Sequence, residues 1–460
     1  MKRTFSATLA LLALTGASPV LAQKQTPPEP AAPRDFHVPA PRKFTLGNGL
    51  AVTLVPYGTV PKVTVRLAVR AGNIDEKADQ VWLSDLVGDY LTQGTATLSA
   101  TQIAEAAARM GGSLDVNVGV DRTDIGGDVL SEFGPEMARL IADVSRNPKF
   151  PDGELARLKA DRLRQLAIAK SQPRPLAQER FLAALYPNHP YGRLYPSSEQ
   201  LGGYTLENVR SFYDGNFGAA RAHLYVAGRF DEKAMEEAIR SAFGDWKRGA
   251  EPVSNAPKGV SERAIYLIDR PGAVQSTIIL GMPVIPPSNP DWIPLQVTNA
   301  LLGGSFSSRI TSNIREQKGY TYSPNSQLSA RAHDAYWAET ADVTTNVTGP
   351  SLKEIFGEIA RLKAEAPPEK ELKGTQNYIA GTFVLQNSSR PGIIGQLQFV
   401  DLQGLPEDYL NRFVQRAYAV TPAQVQEMTQ KNIRDDNATI VVVGDRKVIE
   451  EQVKPYGRIK

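Results

Sequence analysis

The sequence contains no cysteine and only four histidines among its 460 residues. The lack of cysteine excludes disulfide bonds, iron–sulfur clusters, thiolate zinc sites and a cysteine nucleophile. None of the four histidines, His37, His189, His223 and His333, has a second histidine four residues away or an acid at ligand spacing. The chain therefore offers few of the side chains from which zinc sites are built.

The sequence also lacks a large excess of positive or negative charge. Lys and Arg number 52 and Asp and Glu number 49, which gives a net charge of +3. This balance gives no electrostatic reason to expect nucleic acid or an anionic membrane as a partner. Apolar runs are short, and Leu9 to Leu14 lies within the longest of them near the N-terminus, so we expect no membrane span.

Residues 1–22 read MKRTFSATLALLALTGASPVLA. A basic start, a short apolar run and small residues at Val20 and Ala22 are typical of a secretory signal peptide cleaved after Ala22. We expect a periplasmic protein, although a secreted one would carry the same segment. Residues 23–43 are rich in Pro and Ala without an apolar period, which predicts an extended arm.

From Phe44 the pattern changes to strands and helices. Two strands are predicted around an Asn48-Gly49 turn, followed by the alternating strand KVTVRLAVRAG. Apolar residues at helical spacing then predict helices over 81–91, 101–110 and 231–243 and a long helical region over 133–185. Runs of strands separated from runs of helices favour an α+β fold over a doubly wound sheet.

The end of the first half recurs near the C-terminus. AHLYVAGRF and ATIVVVGDR place Gly228 and Gly444 216 residues apart, and two helices that end at Gly94 and Gly304 differ by 210. Two matches at nearly one spacing indicate a duplication. We predict two homologous domains at 44–246 and 263–460, joined by a linker rich in Pro, Gly and Ser at 247–262, each with a mostly antiparallel sheet packed with helices.

Several segments resemble the pitrilysin, insulinase and mitochondrial processing peptidase family, in the same order as in that family. They are LGNGLAVTLVPY, RAGN, a helix that runs into Gly94-Thr95, HPYGR, SFYDGNF, LYVAGRF, LLGGSFSSRI and NIREQKGYTYS. The resemblance covers both halves from Phe44 onward. It implies two α+β domains that form half of a clamshell, with a partner chain as the other half in short-chain members.

Active members of the family resemble an inverted zincin, in which H-x-x-E-H supplies two zinc ligands and a base, and a distal Glu is the third ligand. Here the two histidine positions are Asp85 and Asp89, and the glutamate position is Gly88. The distal ligand is expected within residues 161–166, where Asp161 is the single acid. The resemblance therefore implies no metal and no catalytic residue in this chain alone, and zinc on a partner subunit.

Asp85 and Asp89 lie on one face of the predicted helix and offer oxygen ligands for a hard cation. Two carboxylates are too few for calcium. Basic residues of the predicted helix at 161–170 are available to pair with them instead, which favours a structural or solvated role.

The second half keeps more of the family pattern. Members of the family carry an Arg and a Tyr seven residues later that hold the carbonyl of the substrate peptide, and Arg315 and Tyr322 have this spacing. Arg and Tyr supply the donors that such binding requires. An Arg at a helix end and a Tyr in a strand are also common in purely structural roles. Tyr320 is predicted on the same strand face and is the alternative hydroxyl.

The Gly303-Gly304 pair lies in no phosphate-binding motif. We expect it to form a tight helix start with Ser305 as the cap. The neighbouring SFSS run lacks the G-x-S-x-G pattern of a serine nucleophile.

Two hypotheses follow. In the first, the chain is the non-zinc subunit of a periplasmic heterodimeric zinc peptidase, and it lends Arg315 and Tyr322 to a peptide or unfolded-protein substrate. Its partner is then a homologue that carries H-x-x-E-H. In the second, the chain is a catalytically inactive structural or peptide-binding homologue without a peptidase partner, and the Arg–Tyr pair is residual.

Overall fold

The computed structural model describes residues 37–253 and 255–460. The predicted signal peptide and most of the predicted arm lie outside the described residues. Residues 37–41 precede the first strand and contain no helix or strand. Within the described part of the chain, no helix is both long and apolar enough to cross a membrane.

The strands in chain order are β1 (Arg42–Thr45), β2 (Ala51–Pro56), β3 (Lys62–Val69), β4 (Asp115–Val118), β5 (Thr123–Leu130), β6 (Ala222–Gly228), β7 (Ala264–Asp269), β8 (Gln275–Val284), β9 (Asn325–Arg331), β10 (Asp334–Thr344), β11 (Thr439–Gly444) and β12 (Arg458–Ile459).

The α-helices are α1 (Leu83–Leu91), α2 (Ala100–Arg109), α3 (Gly134–Arg146), α4 (Leu155–Ser171), α5 (Pro173–Leu185), α6 (Ser198–Gly203), α7 (Leu206–Asn216), α8 (Glu232–Phe243), α9 (Trp292–Asn299), α10 (Arg309–Thr311), α11 (Thr348–Ala364), α12 (Glu369–Gln386), α13 (Arg390–Gln403), α14 (Tyr409–Tyr418), α15 (Pro422–Asn432) and α16 (Arg446–Val453). Two π-helical turns, Ala300–Gly304 and Ser312–Gln317, flank α10.

The strands form two six-stranded sheets with matching orders. The first is β1-β2-β6-β3-β5-β4, and the second is β12-β7-β11-β8-β10-β9. The parallel pairs are β2 with β6, β7 with β11 and β7 with β12, and the other neighbours are antiparallel. The predicted α+β fold with two homologous, mostly antiparallel sheets is confirmed.

The outer strand next to the parallel pair differs between the two sheets. β1 comes from the N-terminal side of the first half and forms an antiparallel hairpin with β2, with Phe44 opposite Val52. β12 comes from the C-terminus and runs parallel to β7, with Ile459 opposite Ile265. Each half therefore completes its sheet with a strand from its own outer end of the chain.

Several helix starts follow from local sequence. Ser99 accepts a hydrogen bond from the Gln102 amide while the Gln102 side chain accepts from the Ser99 amide, so α2 begins with a capping box. Thr205 and Thr421 begin α7 and α15 in the same way. Such reciprocal bonds satisfy amide groups that a helix start leaves without partners.

The long helical region predicted over 133–185 consists of three helices in the structure. The segment from Asn147 to Glu154 separates α3 from α4, and Pro173 begins α5. A proline is tolerated at the first helical position because its missing N–H has no partner there, but it ends a preceding helix. The predicted helical region is therefore divided at these two points.

The two halves exchange one helix each. α5 belongs to the first half by sequence but packs against β8 and β11 of the second sheet. α13 begins 217 residues later and packs against β3 and β6 of the first sheet. Arg390 at the start of α13 bonds both carboxylate oxygens of Asp128, at 3.0 and 3.2 Å. The exchange links the halves by more than the segment 247–262, whose described residues contain no helix or strand.

Candidate functional site

The degenerate metal-motif positions lie on α1, where a salt-bridge cluster holds both aspartates. Arg162 of α4 donates from Nε and Nη2 to the two carboxylate oxygens of Asp89, at 2.6 and 2.7 Å. Its Nη1 donates to Asp85 Oδ1 at 3.1 Å. The side chain of Arg162 is only 15% exposed. A guanidinium thus lies between the two carboxylates and balances one of their two negative charges.

A second layer of polar groups lies behind this cluster. Asn73 donates to Asp85 Oδ2 at 2.8 Å, and Glu76 accepts from the amide and hydroxyl of Ser84 at 2.9 and 2.6 Å. Burial raises the pKa of Glu76 to about 7, against the opposing effect of the Ser84 bonds. Burial also raises the pKa of Asp85, although Arg162 opposes this shift. The sequence analysis included Asn73 in the segment RAGN without assigning it a role, and it missed Glu76 because a lone Glu carries no motif.

Gly88 lies where the family has its general base. A Cβ atom built on Gly88 would lie 2.4 Å from Val118 Cγ2 of β4, so the space beside α1 is already filled. A carboxylate at this position would enter an apolar contact with Val118 and Val116. Gly88 therefore makes a close helix–strand contact, which is a packing role.

The residues around α1 do not fit a zinc ion. Imidazole and thiolate groups, the preferred zinc ligands, are missing, and the space between the two carboxylates is taken by a cation that belongs to the protein. In the described residues, no group of three or more acids or histidines is arranged to hold a metal. The chemistry of this cluster is that of a structural ion pair.

Arg315 and Tyr322 come together on the surface of the second half. The guanidinium carbon of Arg315 lies 4.9 Å from the ring centre of Tyr322 and 4.2 Å from that of Phe306. Tyr322 is 80% exposed and Phe306 is 67% exposed. The guanidinium is thus held between two exposed rings. Phe306 was not predicted, and its only sequence signal was a large apolar residue in a Ser-rich turn.

The predicted strand around Tyr322 is wrong. Thr321 forms an isolated bridge with Val343, and neither Tyr320 nor Tyr322 lies in a strand. Tyr320 packs partly buried against the core of the second half, and its amide donates to the Ile314 carbonyl at 2.8 Å. The two rings therefore differ in exposure, and Tyr322 is the hydroxyl that faces solvent.

The expected helix start at Gly303-Gly304 is also wrong. The two glycines end the π-helical turn Ala300–Gly304, and Ser305 follows that turn. Ser308 is the residue that caps the next helix, α10. A Cβ atom on Gly303 would lie 2.6 Å from Ser326 Oγ and 2.7 Å from Glu339 Oε2, so packing rather than turn geometry requires glycine here.

The two groups of predicted residues stay separate. Across residues 37–253 and 255–460, no hydrogen bond, ion pair or ring contact joins Asp85 or Asp89 to Arg315 or Tyr322. The first group is closed by internal pairing, whereas the second is open to an incoming molecule.

Comparison with known proteins gives matches to both halves. Residues 52–195 match the model described as insulinase (peptidase family M16), and residues 203–379 match the model described as the peptidase M16 inactive domain. A protein of Rickettsia felis named an uncharacterized zinc protease is 26% identical over 343 residues, which cover 74% of this chain and 82% of that protein. A Mycobacterium tuberculosis protein of the same description is 26% identical over 89% of this chain and 92% of its own length.

Solved structures show the same fold. The structure of a peptidase M16 inactive domain from Pseudomonas fluorescens matches with a TM-score of 0.81 at 23% identity, and covers 88% of this chain and 98% of that one. A protease from Helicobacter pylori matches with a TM-score of 0.83 at 18% identity, over 89% and 100% of the two chains.

Proposed function

The chain belongs to peptidase family M16, and on this premise we propose that it is the non-zinc subunit of a periplasmic heterodimeric zinc metallopeptidase. Its partner would be a homologue with an intact H-x-x-E-H motif, and the zinc ion would lie on that partner. The relatives that are named zinc proteases support a role in proteolysis. The predicted signal peptide supports a periplasmic location.

The observation that carries the proposal is the contrast between the two candidate regions. Arg162 pairs with both Asp85 and Asp89, the positions that the resemblance assigns to the metal motif, and this pairing supports a chain without a hydrolytic centre of its own there. Arg315 nevertheless lies against Tyr322, which is 80% exposed, and the side chain of Arg315 is itself 23% exposed. A chain that had lost every role in peptide handling would have no need to keep two large exposed rings around an arginine.

The role of this chain would be to bind and orient a peptide. Arg315 makes one ion pair, from Nε to Glu316 at 3.3 Å, and in the described residues its two terminal nitrogens donate no other hydrogen bond. The planar guanidinium and the Tyr322 hydroxyl both act as donors to a peptide carbonyl. Donors that are held in place before the substrate arrives stabilise charge that develops on that oxygen.

The test is the peptidase activity of the reconstituted pair. We expect Arg315→Ala to reduce turnover by about a hundred- to a thousand-fold, as the loss of one preorganised donor to a developing oxyanion does. Tyr322→Phe should cost less, because it keeps the ring and loses only the hydroxyl. Arg315→Lys should not restore activity, because an ammonium group does not reproduce the planar fork.

Lys318→Ala is the matched control, since it removes a cation three residues away that pairs with Glu354. It should leave turnover within about twofold, as expected for the loss of one exposed ion pair. Unchanged turnover of the Arg315→Ala pair, with unchanged thermal stability, would contradict the assignment. The chain would then be better described as a structural or peptide-binding homologue.

A further inference from the structure

Three arginines of the first half lie side by side at the ends of neighbouring strands. Val69, the last residue of β3, pairs with the first residue of β5 and with the first residue of β6. One position further along, Arg70 therefore lies between Arg122, which precedes β5, and Arg221, which precedes β6. The Arg70 amide donates to the Arg221 carbonyl at 2.8 Å, so the pairing with that side continues to this position. We call Arg122, Arg70 and Arg221 the arginine row.

Neighbouring cations in the arginine row repel each other. Residues directly opposite on antiparallel strands have Cα atoms about 4.5–5.5 Å apart and share a face of the sheet, where like charges are unfavourable. Arg221 is paired with Asp75 at 3.0 Å. Arg122 is paired with Asp124 at 3.0 Å. The central Arg70 is exposed, and in the described residues its side chain makes no ion pair, hydrogen bond or ring contact. The row therefore contains one cation without a counter-charge.

The whole arginine row lines one open pocket beside the C-terminal end of α13, and the pocket has a volume of about 280 Å³. Small residues make up much of the remaining lining, namely Gly49, Ala51, Ala68, Ala220 and Ala222. Such side chains leave space beside the guanidinium groups. The pocket is of a size for a small ligand or for the end of a longer one.

The two outer guanidinium groups are fixed by the protein. The side chain of Arg221 is 4% exposed, and its Nε and Nη1 donate to the carbonyls of Ala250 and Arg70 at 3.2 and 2.8 Å. Arg122 Nη2 donates to Gln398 Oε1 at 3.0 Å. Within the described residues, Arg221 Nη2 and Arg122 Nη1 donate no hydrogen bond, and neither is among the buried atoms that lack a partner. Each outer arginine thus keeps one donor available.

The other ionisable groups of the lining leave the pocket positive. The Tyr225 hydroxyl donates to Asp401 Oδ2 at 2.5 Å, so His223 Nδ1, at 2.9 Å, is the donor to the hydroxyl oxygen. Burial lowers the pKa of His223 to about 4, and the imidazole is therefore neutral near pH 7. The lining then carries the three charges of the arginine row against the single carboxylate of Asp401.

A guanidinium group pairs with a carboxylate or a phosphate through parallel N–H···O bonds. We propose that this pocket binds the oxyanion group of a small ligand, a carboxylate or a phosphate, with Arg70 as its ionic partner and with Arg122 and Arg221 as flanking donors. An anion at Arg70 would supply the missing counter-charge and relieve the repulsion along the arginine row.

This oxyanion chemistry has two sources, a carboxylate such as a peptide C-terminus and a phosphate group. The experiment titrates the full mature chain, at low ionic strength and in a buffer without either group, with N-acetyl-L-alanine and with inorganic phosphate, and measures binding by calorimetry. N-acetyl-L-alaninamide is the uncharged counterpart of the first probe. We expect at least one anion to bind, to bind more weakly as NaCl is added, and the amide not to bind. The anion that binds identifies the source.

Variants of the central arginine locate the site. Arg70→Gln should weaken binding by about ten- to a hundredfold, the range for a charge-assisted hydrogen bond. Arg70→Lys keeps the charge but loses the planar fork, so its affinity should lie between those of the unchanged chain and of Arg70→Gln. Arg139→Gln is the matched control, since Arg139 is an exposed arginine of α3 that has no partner in the described residues and does not line the pocket. It should leave affinity within about twofold.

Thermal unfolding gives a second readout. Because Arg70 has two like charges as neighbours, Arg70→Gln should leave the melting temperature of the ligand-free chain unchanged or raise it. The anion that binds should raise the melting temperature of the unchanged chain and have a smaller effect on that of the variant.

Failure of both anions to bind at about 10 mM would overturn the proposal, as would binding that Arg70→Gln does not weaken. A ligand-free Arg70→Gln chain that melts well below the unchanged chain would show that Arg70 already has a stabilising partner, and this too would overturn it. Because the measurements need neither a partner chain nor peptidase activity, their outcome is independent of the proposed role of Arg315 and Tyr322.

Discussion

The first and second halves use the same duplicated scaffold in opposite ways at corresponding places. On α1, the two carboxylates share the guanidinium of Arg162, and the space beside Gly88 is filled by Val118. At the end of α9, the second half has a pocket in which none of the described lining residues is charged. The difference shows that the same duplicated elements can form a salt-bridge cluster in one copy and a cavity in the other.

The comparison predicts first that the salt bridges of Arg162 with Asp85 and Asp89 stabilise the first half. Arg162→Ala should lower the free energy of unfolding by about 3–5 kcal/mol, because it leaves two largely buried carboxylates without their cation. Denaturant titration measures this change. Arg164→Ala is the control on the same helix, since Arg164 is exposed and pairs only with the exposed Asp161, and it should cost less than about 0.5 kcal/mol. If the two variants lose the same free energy of unfolding, Arg162 does not have this stabilising role.

A second change tests whether the motif can be restored. Gly88→Glu should destabilise the chain by about 1–3 kcal/mol, because the new Cβ meets Val118 Cγ2, and it should not produce a zinc site. Val118→Ala in the same chain should recover part of that stability by opening the space. If Gly88→Glu is neutral and the chain then binds zinc tightly, the region is a vacant metal site rather than a filled contact.

Third, Glu76 should make stability depend on pH. Its pKa is raised from 4.5 to about 7 in the folded chain, so the folded state binds more protons than the unfolded state between these values. Stability from this group is present below pH 4.5 and is lost as the pH rises through 7, by at most about 1.4 kcal/mol per pH unit. Glu76→Gln should reduce this slope in thermal unfolding measured from pH 4.5 to 8. If the stability of the unchanged chain and of the Glu76→Gln variant depends on pH in the same way, the pKa of Glu76 is not raised as described.

The smallest expected effect concerns Phe306. A cation–π contact at an exposed site contributes about 0.5–1 kcal/mol, so Phe306→Ala should reduce the kcat/KM of the reconstituted pair by about two- to fivefold. Val274→Ala removes a comparably exposed apolar side chain from a different loop and should have no effect. Identical kinetics for both variants would mean that Phe306 does not hold Arg315 in place.

Much of the fold follows from local pattern in the sequence. The strand ends at Gly228 and Gly444 and the helix ends near Gly94 and Gly304 are repeated, and repeated local signals survive divergence because each half must bury its own sheet. The resemblance that assigns Asp85, Gly88 and Asp89 to the positions of the family metal motif is also read from residues close together in the chain. All of these features depend on residues that lie close together in the chain.

What sequence pattern did not predict depends on distant contacts. An apolar face on α5 does not indicate which of two similar sheets it covers, so the helix exchange was missed. The first π-helical turn ends at Gly303-Gly304, where close contacts with Ser326 and Glu339 require glycine, and Ser305 follows that turn rather than capping the next helix. Phe306 and the charge-free pocket were missed because their neighbours come from segments far apart in the sequence.

The central claim is that this chain works beside a metal-bearing partner rather than around a metal of its own. Native mass spectrometry of the tagged chain, purified from the periplasm of its own host, tests it most directly. We predict a heterodimer with an H-x-x-E-H-bearing homologue that carries one zinc ion, which stays with the partner when the two chains separate. A persistent monomer, or zinc that stays with this chain, would contradict the account.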